Sequence, residues 1–207
     1  MRVRLAALAT ALCLGFPTRL PAQDRPDTGT YFSASGLLVS VLDADLRDPA
    51  LPGLDLELSA ELGFGFALAL GGRLGRDVRV EGEIAYRMND LDELAVAGFG
   101  SAPIDGEITS FSVLGNFLYD LPVRGAVRPY FGVGLGLARL EVSGEDINDD
   151  SDTVLAYQLL FGLGGRVGPR AILFGGYRFF ATDDPVFRGA ETEYRSHNLE
   201  IGLRYLF

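Results

Sequence analysis

The last ten residues of the chain constrain it most. Leu199, Ile201, Leu203, Tyr205 and Phe207 alternate strictly with Asn198, Glu200, Gly202 and Arg204. A period of two belongs to a β-strand, whose successive side chains point to opposite faces; a helix repeats every 3.6 residues. One face of this segment is apolar and the other is charge or glycine, so the first must meet something apolar. No window of 18 or more uncharged apolar residues follows the first 23 positions, which excludes a transmembrane helix.

The same alternation recurs upstream. Leu62, Phe64, Phe66, Leu68 and Leu70 alternate with Glu61, Gly63, Gly65, Ala67 and Ala69, and Val80, Ile84 and Tyr86 with Arg79, Glu81, Glu83 and Arg87. Val113, Phe117 and Tyr119 oppose Ser110, Ser112 and Asn116; Phe131, Val133, Leu135 and Leu137 oppose Tyr130, Gly132, Gly134 and Gly136. Leu155 to Leu163 repeats the pattern against Gln158, Gly162, Gly164 and Arg166. Leu173, Tyr177 and Phe179 oppose Gly176 and Arg178, although Ile172 and Phe174 blur that segment. Tyr31–Val41, with Ser33 and Ser35 opposite Phe32 and Ala34, is a weaker first strand. Eight strands are expected. Their links alternate in length: Arg73–Asp77, Asp120–Ala126 and Val167–Arg170 are short, whereas Asp43–Leu58, Met88–Glu107, Glu141–Thr153 and Thr182–Arg195 are long. One end of the molecule should carry tight turns and the other long loops.

Alternation alone does not separate a transmembrane barrel from a soluble up-and-down barrel of the lipocalin kind. The polar face does. It is rich in Gly, Ala and Ser with sparse Arg and Glu, which suits the narrow interior of an eight-stranded barrel; a soluble exterior would carry a dense charged coat. A Leu/Phe/Tyr/Val face tolerates lipid and would overfill a narrow core. The expectation is an all-β chain forming an eight-stranded antiparallel up-and-down transmembrane β-barrel, closed because backbone polar groups in hydrocarbon must pair internally. Tyr31, Tyr86, Tyr119, Tyr130, Tyr157, Tyr177, Phe179 and Tyr205 fall near strand borders, where interfacial aromatics are expected.

Residues 1–23 read as a secretory signal: Arg2 and Arg4 precede the apolar stretch Leu5–Phe16, and Leu20–Gln23 offers a small-residue cleavage region. Cys13, the one cysteine, lies inside that apolar stretch behind the bulky Leu12, which argues against lipid attachment. Residues 24–207 then form the barrel domain, free of cysteine. All 18 basic residues are Arg, and the formal charge of −10 leaves no basic footprint for nucleic acid.

Three stretches carry a family resemblance: Arg79–Arg87 (RVEGEIAYR), Arg128–Gly136 (RPYFGVGLG) and Asn198–Phe207 (NLEIGLRYLF). With these the chain resembles the small OmpA-like eight-stranded outer-membrane β-barrel proteins of Gram-negative bacteria. The resemblance implies residence in the cell outer membrane, with contact to its lipid and lipopolysaccharide. It also implies that Phe207 at the terminus, with Tyr205 two residues before it, is the signal read by the outer-membrane assembly machinery. No peptidoglycan-binding domain follows the barrel segments, so the cell-wall tether of longer relatives is not implied.

Within the expected lumen, Glu61, Arg73, Arg79, Glu81, Glu83, Arg87, Arg166, Arg178, Glu200 and Arg204 form a set of mixed sign. Buried charges need partners, so this set reads as interior ion pairs, or alternatively as the gate of a narrow cation-preferring pore. Ser196 and His197 suggest a lipid-modifying hydrolase, but neighbours on a strand face opposite ways, so they assemble no dyad. No catalytic, cofactor or metal site is expected, and the fold should be monomeric. Asp146, Asn148, Asp149, Asp150, Ser151 and Asp152 lack the Gly and Glu of an EF-hand loop. With Asp43, Asp45, Asp48, Asp90, Asp92, Glu93, Asp183 and Asp184 they leave, at most, a weak attraction for Ca²⁺ or Mg²⁺ at acidic loops. The role expected is structural or surface-interactive, without enzymatic activity.

Overall fold

The computed structural model describes residues 29–207 apart from 43, 48–55, 61, 97–99, 145–146, 184, 188–189 and 193. The expected signal segment and Glu61 therefore lie outside the described residues. Twelve strands are described: β1 (Thr30–Val41), β2 (Ala44–Arg47), β3 (Leu56–Ala60), β4 (Gly63–Leu74), β5 (Val78–Val96), β6 (Gly100–Asp120), β7 (Val127–Gly144), β8 (Ile147–Arg166), β9 (Ala171–Thr182), β10 (Val186–Phe187), β11 (Ala190–Thr192) and β12 (Arg195–Leu206). Eight of them close a barrel in the order β1-β4-β5-β6-β7-β8-β9-β12, with every pair antiparallel. Closure joins the first strand to the last, Tyr31 opposite Leu206 and Val41 opposite Ser196, and leaves the barrel no unpaired edge.

The outer wall is the apolar phase of the alternation. Leu199, Ile201, Leu203, Tyr205 and Phe207 are exposed along β12, as are Phe64, Phe66 and Leu70 on β4 and Phe131 to Leu137 at odd positions on β7. A stripe of about nine residues matches what a tilted strand needs to cross a hydrocarbon core. In water such a wall would expose far more contiguous apolar surface than a soluble monomer carries.

At one end the links are tight: residues 75–77, 121–126 and 167–170. Gly75 adopts φ 84°, a conformation costly for any residue with a Cβ. The other end departs from the sequence expectation. Met88–Glu107 is mostly strand, since β5 and β6 pair out to Val96 opposite Gly100, and Glu141–Thr153 likewise closes with Gly144 opposite Ile147. Nor are the remaining two long links plain loops: β3 adds to the extended edge of β5, β2 to β3, β11 to β2 and β10 to β11. The physical reason is that β5, once it rises clear of the wall, offers a row of free backbone donors and acceptors that recruits further strands whatever their side chains.

Two further expectations are corrected. Tyr31 and Tyr130 are buried inside the barrel, not placed at the membrane border; each shares the phase of the small residues of its strand. Ile172 and Phe174 also point inward, in phase with Arg178, so the lumen holds apolar side chains besides glycines and charges.

Candidate functional site in the barrel lumen

The inward charges stack in three layers. Nearest the tight turns, Arg79 donates from Nε to Asp120 at 3.0 Å and from Nη1 to Glu81 at 2.7 Å, while the Tyr31 hydroxyl donates to the same Glu81 oxygen at 2.6 Å. Arg73 donates to Asp120 at 2.8 Å. The Arg204 guanidinium lies over the Tyr31 ring at 5.0 Å and near Phe174 at 5.2 Å, and Arg79 lies over Tyr130 at 5.0 Å. Arg204, with no carboxylate in ion-pair distance among the described residues, thus uses aromatic faces, and Arg79 adds one to its two carboxylates.

The middle layer is centred on Arg178. Its Nη1 donates to Glu83 and, at 3.1 Å, to Gln158; its Nη2 donates to Glu200 at 2.7 Å. Asn116 donates to the second Glu83 oxygen at 3.0 Å, and Ser35 donates to Glu200 at 2.7 Å. Gln158 also donates to Asn116 at 2.8 Å. Six of the eight barrel strands contribute side chains to this one network. Glycines make it possible: a Cβ on Gly134 would overlap Asn116 and Gln158, one on Gly162 would overlap the Tyr130 ring, and one on Gly71 would sit 2.5 Å from the Tyr31 ring.

Above it, Arg87 is fully buried with no carboxylate in ion-pair distance among the described residues. It donates to Ser112 at 3.2 Å and Asn198 at 3.3 Å and lies 3.9 Å over the Phe180 ring. Beyond it Ile108, Leu114, Leu140, Phe180 and Tyr194 close into an apolar cluster, with the Phe180 and Tyr194 rings edge to face. Leu118, Tyr130 and Phe174 form a second cluster nearer the turns. Between the layers a cavity of about 20 Å³ remains, lined in part by Ser33, Ser35, Glu83 and Arg178. That is room for about one water.

Nine of the ten residues expected in the lumen are described, and all nine have the inward phase of their strands. Arg166 stands at the mouth, where it donates to the Pro169 carbonyl at 3.3 Å. Sequence reasoning missed Asp120, which serves two arginines, and the neutral bridges Asn116, Gln158 and Asn198. Their phase was readable, but a residue at a turn boundary or an amide gave no charge signal. Ser196 points inward and accepts from Asn198, whereas His197 lies on the outer wall, bonded to the Tyr177 hydroxyl and beside Phe179. The backbone separates the two. Among the described residues no group of His, Cys, Asp or Glu could hold a metal; Asp43, Asp48, Asp146 and Asp184 fall outside them, as do the side chains of Asp45, Asp92, Glu93, Asn148, Asp149 and Asp150.

A family model described as outer membrane protein beta-barrel domain matches residues 6–207. The chain belongs to that family. It resides in the outer membrane, and its tight turns accordingly face the periplasm, with the extended hairpins on the cell surface. The barrel is similar to the crystal structure of Neisserial surface protein A, with 22% identity and a TM-score of 0.58, covering 86% of this chain and 97% of that one. It is also similar to the outer membrane protein OprG from Pseudomonas aeruginosa, with 13% identity and a TM-score of 0.54, covering 87% and 96%. At these identities the likeness concerns the fold. No curated protein matches the chain.

Proposed function

We propose that this outer-membrane barrel is a closed scaffold that holds a strand-built platform at the cell surface. Its role is structural or surface-interactive, and it is neither a pore nor an enzyme. One observation carries the reading: among the described residues the lumen is filled by ion pairs in two layers and apolar clusters around them, with a cavity of about 20 Å³ between the layers. A cation-selective path would need a continuous row of water-sized spaces flanked by carboxylates. Here Glu81, Glu83 and Glu200 are engaged by arginines. An enzymatic reading built on Ser196 and His197 finds the two on opposite sides of the wall.

The platform follows from β5–β6 and β7–β8, which continue as antiparallel ladders beyond the barrel. Lipopolysaccharide is the expected neighbour of this end, and its phosphates would meet an acidic rim that only divalent cations can bridge. At the opposite end, the exposed rings of Tyr205 and Phe207 pack edge to face at 5.8 Å on the outer wall. That presentation suits recognition by the assembly machinery.

Planar-bilayer recording on the folded protein tests the proposal. Silence in a preparation that shifts position between unboiled and boiled gel lanes is the expected result. Stepwise cation-selective openings from the same preparation would overturn it.

A further inference from the structure

The charges of the lumen do not cancel among the described residues. Arg73, Arg79 and Arg178 engage all four carboxylates there, Glu81, Glu83, Asp120 and Glu200. Two arginines are left over. Arg204 lines the cavity of about 20 Å³ together with Glu81, Glu83 and Glu200, so a single water there joins it to a carboxylate. Arg87 stands outside that lining. It is fully buried, and its partners are neutral: Asn198 Oδ1 accepts from Nε, Ser112 Oγ accepts from Nη1, and the Phe180 ring lies 3.9 Å away. Its Nη2 is buried and donates to nothing. The same holds for Ser110 Oγ, on the residue directly opposite Arg87 in the β5–β6 ladder. A buried cation thus sits among hydroxyls and an amide, with two donors unused at one level. Water would satisfy those donors and leave the charge, whereas a small anion satisfies both.

We infer that Arg87 holds one monovalent anion of halide size, with its Nη2 and the Ser110 hydroxyl as donors. Chloride is the ion of that class a cell supplies. Charge and surroundings select it. One arginine balances one negative charge, so a phosphate or sulfate would bring more than the site answers. The apolar cluster of Ile108, Leu140 and Phe180 closes the level from beyond, which suits a bare spherical ion over a carboxylate with its own stem. Because Arg87 is shut off from solvent, the ion is taken up as the barrel closes, and it binds the folded state alone. Mass action then ties folding to its concentration. The inference concerns how the closed lumen balances its charge and stands apart from whether the barrel conducts.

The test is a set of urea titrations of folding into phosphatidylcholine vesicles, at one ionic strength, with chloride progressively replaced by gluconate. Well above half-filling, the folded-to-unfolded ratio should rise about tenfold for each tenfold rise in chloride, as one bound ion requires. Arg87→Met removes the charge and keeps an apolar stem, so its ratio should not depend on chloride. Ser110→Ala should need more chloride for half-filling. Arg139→Gln, at an exposed outward position on β7, should leave the dependence as it is. Crystals of the unaltered protein grown in bromide should show an anomalous peak at hydrogen-bond distance from Arg87 Nη2, which decides the matter even if Arg87→Met fails to fold. Three results would each overturn the inference. One is a lumen without that bromide peak. Another is a chloride dependence that Arg139→Gln removes as fully as Arg87→Met, which would mean general screening. The third is indifference of the unaltered protein to chloride, which would make an acid of the chain the counter-charge, with Glu61, of inward phase in the sequence, the first to replace.

Discussion

Arg178 stands between Glu83 and Glu200, and among the described residues no other arginine pairs with either carboxylate. Removing it strands two buried negative charges, whereas removing one glutamate leaves the arginine its other partner. Arg178→Ala is therefore expected to cost about 3–5 kcal/mol, read as a shift in the urea midpoint for folding into lipid vesicles, with Glu83→Gln costing distinctly less. If the two cost the same, the network is not centred on Arg178. The lumenal glycines matter through space. Gly162→Ala places a methyl where the Tyr130 ring lies, an overpacking expected to cost about 1–3 kcal/mol. In a Tyr130→Ala background that cost should largely vanish, and a double-mutant cycle measures the coupling. Additive losses would show that Gly162 answers to something other than the ring.

Among the elements, β4 gives the sharpest check on which face meets lipid. Ala67 and Ala69 are buried while Phe66 and Leu70 are exposed, so Leu68 between them has the outward phase. Leu68→Arg should cost about 2–4 kcal/mol near the bilayer midplane; a neutral result in the same vesicle titration would contradict the assignment. Deleting residues 91–105, the part of the β5–β6 hairpin above the barrel, should leave the heat-dependent gel shift intact, because barrel pairing ends near Asp90 opposite Glu107. Loss of that shift would show that the hairpin is needed for closure.

The elements also show what sequence could and could not reveal. Where one face meets lipid, as in Leu199–Phe207 or Phe131–Leu137, apolar alternation marks both strand and phase. Once β5 and β6 leave the wall, nothing apolar is required of either face, so Met88–Glu107 reads as loop although most of its described backbone is paired. Ile172 and Phe174 blurred their strand for the converse reason: both faces of β9 are apolar there, because the lumen holds the cluster of Leu118, Tyr130 and Phe174. Inward charges were legible from phase alone. Their partners were not, since register across strands, and not sequence spacing, brings Asp120 to Arg79 or Gln158 to Arg178.

For the whole molecule, one inversion governs the rest: the apolar wall faces out and the polar network faces in. The sequence supplies a clean way to read it. Its one cysteine, Cys13, lies in the stretch that reads as a secretory signal, so with Cys13 replaced by Ser single cysteines can be placed along β12 without background. Spin labels at positions 198–205, examined in lipid vesicles, report collision with oxygen, which dissolves in hydrocarbon, and with a water-soluble nickel chelate. The account predicts high oxygen access at 199, 201, 203 and 205, with neither reagent reaching 198, 200, 202 and 204. Nickel access at the even positions would mean a water-filled lumen, and oxygen access there with protection at the odd positions would mean that the barrel is inside out.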